Sequence, residues 1–161
     1  MKIYNKGAAG VIIFAKSSQS VLVGLRSDGQ GWGFAGGKRE ACDTCLKDTA
    51  LRELKEEFGV TIPAEKQDKL RYIKCAMVPA DRIDKATGRL LEHVMFFTDI
   101  YLYCIEDKCE INLGEHDDET RAIKWVTLTE FARMDNIFTP SLIAFNMAMT
   151  DETMRALAEK L

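Results

Sequence analysis

Residues 36–60 read GGKREACDTCLKDTALRELKEEFGV, and the rest of the chain is best understood outward from this stretch. Residues 44–58 carry helical spacing: Leu51, Leu54 and Phe58 fall on one side, as a helix packed on a core requires. Asp43 or Thr44 can cap its start, and Gly59 can end it. Glu53, Glu56 and Glu57 stand at i, i+3 and i+4, so their carboxylates share a second face. Like charges at that spacing repel. Glu56 and Glu57 also lie in the last turn, where the helix dipole disfavours anions by about 0.3–1 kcal/mol each. Arg52 can pair with Glu56 and Lys55 offers some relief, but the acids remain clustered. One reading is a solvated acidic face. The other is that a cation is the missing partner, and oxygen-only donors of this kind suit Mg²⁺ or Mn²⁺. Gly36 and Gly37 favour the second, because backbone without a Cβ can approach a ligand or metal closely.

On the N-terminal side, residues 10–15 (GVIIFA) and 21–26 (VLVGLR) read as strands separated by the polar turn 16–20. Residues 27–38 are dense in glycine and read as a loop. On the C-terminal side, 70–78 and 91–105 read as strands, with 81–89 as the long tip of a hairpin. Residues 122–128 form a further strand leading into a short helix at 129–134. From Pro140 the spacing of Leu142, Phe145, Met149, Met154 and Leu157 predicts a terminal helical segment, broken near Thr150 and Asp151. Interleaved strands and helices with no linker or repeat predict one α/β domain over residues 1–161, a mixed sheet with helices packed against it.

The composition narrows the function classes. Among 161 residues, 22 basic and 25 acidic side chains give a net charge of −3, with no basic stripe. Non-specific nucleic-acid binding and membrane-surface binding therefore have no electrostatic basis, whereas a small charged substrate can be held by local clusters. No apolar run approaches the roughly 20 residues needed to span a bilayer. The five cysteines, an odd number without a secretory leader, predict reduced thiols and a cytoplasmic location.

A glycine loop feeding an acid-bearing helix resembles the Nudix box, G-x5-E-x7-R-E-U-x-E-E-x-G-U, where U is aliphatic. Residues 52–60, RELKEEFGV, match its second half without a gap. Upstream, residues 32–38, WGFAGGK, resemble the W-x-F-P-G-G-K lead-in of that family. The resemblance covers about residues 7–134 and implies a Nudix-like α/β/α sandwich. Its departures lie in the front half. Fourteen residues separate Gly37 from Arg52 where the pattern has thirteen, and Ala35 replaces the usual proline. The expected glutamate falls on Asp43 or Thr44, and Asp43 is the residue able to take its structural role.

The resemblance implies hydrolysis of a diphosphate bond in a nucleoside diphosphate linked to another group, a (d)NTP or related nucleotide being favoured. It implies that Glu53, Glu56 and Glu57, with the backbone carbonyl near Gly37, ligate Mg²⁺ or Mn²⁺, and that Arg52 orients the glutamates. The base is expected either among these glutamates, Glu53 included, or in the acidic loop before the last strand. There Glu119 is the first candidate and Glu115 the second; a solvated acidic run is the competing reading. Arg26 and Lys38 are candidates for phosphate contacts, though ordinary surface charges explain them as well. Phe138 can stack on a base, but the amide expected to read a purine near the C-terminus is not clearly present. Two other functions stay open. One is a different substrate, such as a nucleotide sugar, dinucleoside polyphosphate or capped RNA end. The other is a nucleotide-binding sensor without turnover. Members of that family are often dimers, which allows a homodimer here.

The remaining motifs are weaker. Cys42 and Cys45 have C-x2-C spacing, but a zinc site would need Cys104 and Cys109 some sixty residues on, which fits no familiar ribbon. His93 and His116 lack a partner nucleophile or ligand in their local pattern, and the methionines and strand aromatics read as core.

Overall fold

A computed structural model describes residues 2–152, 154 and 155. Among these, β1 (Lys2–Ala15), β2 (Ser20–Arg26), β3 (Trp32–Gly33), β4 (Ala35–Lys38), β5 (Arg71–Ile83), β6 (Leu90–Ile105) and β7 (Thr120–Thr127) form a single sheet. The helices are α1 (Leu46–Phe58), α2 (Leu128–Arg133) and α3 (Thr139–Ala148). The sheet is mixed: β1 runs parallel to β6 and antiparallel to β2 and β4, while β5 and β7 pair antiparallel with β6 and β2.

β1 sits between β6 on one edge and β2 and β4 on the other, and its two faces are covered by α1 on one side and by α2 and α3 on the other. A strand covered on both sides can be apolar at successive positions, which explains its unbroken hydrophobic run. Val11, Ile13 and Ala15 point to one core together with Ala50, Leu54 and Phe58 of α1. Ile12 and Phe14 point to the other, with Phe131 of α2 and Ala148 of α3. The result is the expected α/β/α sandwich, with α1 on one face and α2 and α3 on the other.

Three local expectations are corrected. The glycine-dense stretch 27–38 is not all loop, because β3 pairs with β2 and β4 pairs with β1. Pairing to an already covered strand overrides glycine's poor strand propensity. Helix α1 starts at Leu46 after an N-cap Cys45 that makes no side-chain capping bond. Asp43 is drawn instead to Arg52 and Thr49, while the Thr44 N–H donates to Asp48 Oδ2 at 3.0 Å. The hairpin tip is also shorter than expected, since β5 continues to Ile83. At the other end of α1, Gly59 has φ 65° and its N–H returns to the Leu54 and Lys55 carbonyls, as expected of a terminating glycine.

The terminal segment breaks at residues 149–151, as the spacing predicts, and Met154 is fully buried. Leu142, however, is exposed, while Ser141 and Ala148 are buried. Ser141 and Ala148 let α3 lie close to the sheet, while Phe145 and Met149 are partly buried against the same core, as expected. Leu157 lies outside the described residues. No helix among the described residues is long and apolar enough to cross a membrane.

Leu54 is fully buried between α1 and the sheet. Leu54→Ala should lower stability by about 2–5 kcal/mol, read as a drop in the urea unfolding midpoint. An unchanged midpoint would contradict this packing of α1.

Candidate functional site

Helix α1 and the segment before it converge on Arg52. Its Nε donates to Asp43 Oδ1 at 3.0 Å and its Nη2 to Asp43 Oδ2 at 3.0 Å, a bidentate contact. Nη2 also donates to the Lys38 carbonyl at 2.9 Å. Nη1 faces the helix, donating to Glu53 Oε1 at 3.0 Å and Glu56 Oε2 at 3.1 Å. Asp43 further accepts from the Glu40 N–H and the Thr49 hydroxyl, both at 2.9 Å. Hydrogen bonding from Arg52 outweighs burial and holds the Asp43 carboxyl well below the usual range, while Asp43 in turn raises Arg52.

The three glutamates differ in setting. Glu53 and Glu57 are buried, whereas the Glu56 side chain is about half exposed. The Glu57 carboxylate accepts from the Gly36 N–H at 2.8 Å, which fastens the end of α1 to β4. Burial pushes both the Glu53 and the Glu57 carboxyl up, Glu57 strongly, and the charge on Glu53 adds to the rise at Glu57. Gly37 leaves the space that the Glu53 carboxylate fills; a Cβ there would collide with Glu53 Oε1.

Among the described residues no three His, Cys, Asp or Glu side chains are already arranged as a metal cage, and Arg52 holds Glu56 at the rim. The chemistry of the donors nevertheless fits a hard divalent cation. Two buried carboxyls, one raised further by the charge of the other, carry a like-charge conflict that a proton or a cation relieves, and every donor is oxygen.

The acidic loop is built onto the end of this helix. The Asp117 N–H donates to the Glu56 carbonyl at 2.7 Å, satisfying one of the last-turn carbonyls, and the Gly114 N–H donates to the Gly59 carbonyl at 2.9 Å. The Ser27 N–H donates to the Glu119 carbonyl at 2.9 Å. Asp117 and Glu119 both line a cleft of about 390 Å³; Glu115 does not. Asp117 was missed in the sequence, where only its membership of an acidic run marked it.

The cleft lining is of two kinds. Glu53, Glu56, Glu57, Arg26 and Lys38 are charged, and Val78, Val94, Phe96, Ile100 and Phe34 are apolar. Phe138 also lines it, and the Arg26 guanidinium lies 4.0 Å from its ring centroid while its Nη2 pairs with Asp28 at 2.6 Å. Of the site residues expected from the sequence, Arg26, Gly37, Lys38, Glu53, Glu56, Glu57, Glu119 and Phe138 border one cavity, whereas Arg52 is not part of its lining and reaches it through Glu53 and Glu56. Cys42 and Cys45 are exposed outside it, and on the hairpin the Asp81 carboxylate accepts from His93 Nδ1 at 2.7 Å.

Compared with known proteins, residues 5–144 match the NUDIX domain family. No curated protein sequence matches the chain. Among solved structures, the NUDIX domain of Shewanella oneidensis NrtR complexed with ADP ribose aligns with a TM-score of 0.65 at 20% identity, covering 93% of this chain and 87% of that one. A bifunctional NMN adenylyltransferase/ADP ribose pyrophosphatase from Francisella tularensis gives 0.65 at 15% identity, covering 92% of this chain but only 41% of that one. The E. coli dihydroneopterin triphosphate pyrophosphohydrolase gives 0.62 at 20% identity, covering 94% and 100%. At such identities the structural likeness is one of fold.

Two substitutions probe this arrangement. Asp43→Asn removes the bidentate partner of Arg52 and should cost about 1–3 kcal/mol, measured by denaturant unfolding at neutral pH. Because the folded Asp43 pKa is depressed, its stabilisation is full above the ordinary aspartate value. It is lost as the pH falls from there towards the folded one. The gap between wild type and Asp43→Asn should therefore close on acidification; a gap constant with pH would contradict the assignment. Gly37→Ala should displace the Glu53 carboxylate and cut activity while leaving the unfolding midpoint nearly unchanged. Full activity in that variant would show that Glu53 need not occupy this space.

Proposed function

This chain belongs to the Nudix family, and we propose that it is a metal-dependent pyrophosphohydrolase acting on a nucleoside diphosphate linked to a further group, a (d)NTP or related nucleotide being favoured. Family membership supports an enzyme that hydrolyses phosphoanhydride bonds. The observation that carries the reading is the pair of buried acids, Glu53 and Glu57, in a cleft that also has an apolar lining. A nucleotide has the matching division, with anionic phosphates at one end and a flat base at the other.

In this reading Glu53, Glu56, Glu57 and the Gly37 carbonyl would hold Mg²⁺ or Mn²⁺. The bound ion would neutralise phosphate charge and lower the pKa of the attacking water. Arg52 fixes the helix acids against the loop, and Arg26 and Lys38 meet phosphate oxygens. Phe138, stacked on Arg26, offers an aromatic edge to the base. Glu119, at the cleft wall, takes the proton from water as its oxygen bonds to phosphorus and the bond to the leaving phosphate breaks. The described cysteines are all free, which supports a reducing, cytoplasmic setting.

A second reading, nucleotide binding without turnover, draws on Arg52 holding both Glu53 and Glu56. A related NUDIX domain, that of NrtR, was crystallised with ADP ribose. A screen of nucleoside diphosphate and triphosphate derivatives with Mg²⁺ or Mn²⁺ separates the two. The hydrolase should turn over at least one substrate, and Glu57→Gln should lower kcat by about 100-fold or more, the scale on which one transition-state-stabilising group acts. Binding without turnover across the screen would favour the module, and a Glu57→Gln variant of wild-type activity would sink the proposed site.

A further inference from the structure

We infer that Lys85 is a positioning residue that holds the Glu119 carboxylate at the mouth of the cleft. The inference rests on the reading of Glu119 as the base. Lys85 lies on the turn joining β5 to β6, and its Nζ is 2.9 Å from Glu119 Oε1, joining residues 34 apart in sequence.

The two partners belong to different segments: Glu119 lines the cleft, and Lys85, outside its lining, approaches Glu119 from the β5–β6 turn. β5 and β6 supply one wall through Val78, Ala80 and Val94, and the loop before β7 supplies another through Asp117 and Glu119. Each backbone is anchored. In the turn, the Asp84 N–H donates to the Arg89 carbonyl at 2.8 Å and the Gly88 N–H to the Asp84 carbonyl at 2.7 Å. In the loop, the Glu119 carbonyl accepts from the Ser27 N–H at 2.9 Å and its N–H donates to Asp117 Oδ1 at 3.0 Å.

What the backbone leaves undetermined is the Glu119 side chain, which is more than half exposed and has several rotatable bonds. Lys85 narrows that choice, and its own ammonium is pushed up chiefly by the hydrogen bond to Glu119. An ion pair this exposed adds little to stability. Its effect is on where the carboxylate points, and a base works only within hydrogen-bond reach of the proton it abstracts.

The test compares kcat and KM for wild type, Lys85→Met, Lys85→Arg, Glu119→Gln and the double variant, with Mg²⁺, ADP ribose and dGTP being the first probes. Lys85→Met should lower kcat about two- to fivefold, the range open to an exposed ion pair, with KM unchanged. Lys85→Arg should restore the rate, and Lys85→Met should have no further effect in the Glu119→Gln background. A wild-type kcat in Lys85→Met would overturn the inference. So would a loss that persists undiminished in the double variant, or one expressed in KM, since either would put Lys85 on the substrate itself. Glu119→Gln at the wild-type rate would remove the base reading, and this inference with it, while leaving the Glu57→Gln result to judge the hydrolase reading separately.

Discussion

Arg52 reaches from the middle of α1 back to the segment before it, and its planar fork ties Asp43 and the Lys38 carbonyl to Glu53 and Glu56. The rest of the site depends on this joint. Asp43, Glu53, Glu56 and, more distantly, Glu40 pair with Arg52, and Glu57 lies on the same helix as Glu53 and Glu56; without a central cation their repulsion would open the segment between β4 and the helix. A lysine could supply the charge but not the flat, several-donor geometry that meets Asp43 in bidentate fashion while facing the helix acids with another nitrogen. The guanidinium holds the acids together at the same time as it keeps Glu56 at the rim. An arginine that organises carboxylates around an ion must also leave room for the ion, and Glu57 is the carboxylate in this group that it does not touch directly.

The cleft itself follows from the central strand. Ala8, Gly10 and Ile12 line it from β1, and Ala35, Gly36 and Gly37 line it from the adjacent β4. Small residues on neighbouring strands leave space above the sheet that Val or Leu would fill. The same smallness lets Glu53 and Glu57 fold inward over the backbone of β4, so their burial and the cavity have a common origin. The apolar part of the lining comes from β5 and β6, through the buried side chains of Val78, Val94 and Phe96. One sheet thus supplies both a polar floor and an apolar wall without any separate binding domain.

What could be read from the sequence was what periodicity carries. Leu54 and Phe58 are core, Gly59 ends the helix, and the three glutamates share a face, because helical spacing fixes all of these without tertiary information. The covered strand β1 was recognisable from its unbroken apolar run. β3 and β4 were not, because their glycines have no side chains to alternate and only their partners make them strands. Leu142 was misplaced because a hydrophobic residue on a short helix need not face the sheet when Ser141 does; the Ser141 hydroxyl accepts from the Phe34 N–H at 2.9 Å. Asp117 escaped notice because its position depends on its backbone reaching the Glu56 carbonyl, which no local pattern encodes.

The irregular front half of the box shows how two departures can be accommodated together. Asp43 carries its carboxylate on a side chain one methylene shorter than a glutamate's, and the segment holding it is one residue longer than the pattern. A shorter side chain needs its backbone closer to the guanidinium, and an added residue gives the loop the freedom to bring it there. The cost is at the helix start. Asp43 cannot cap α1 while it is bonded to Arg52 and Thr49, so the helix begins two residues later than its periodicity suggests, on a cysteine that offers no capping bond. An N-cap contributes about 1 kcal/mol, less than a charge-assisted bidentate contact with a largely buried partner. The chain has accordingly placed its acid where it organises the site and left the helix end with the weaker solution.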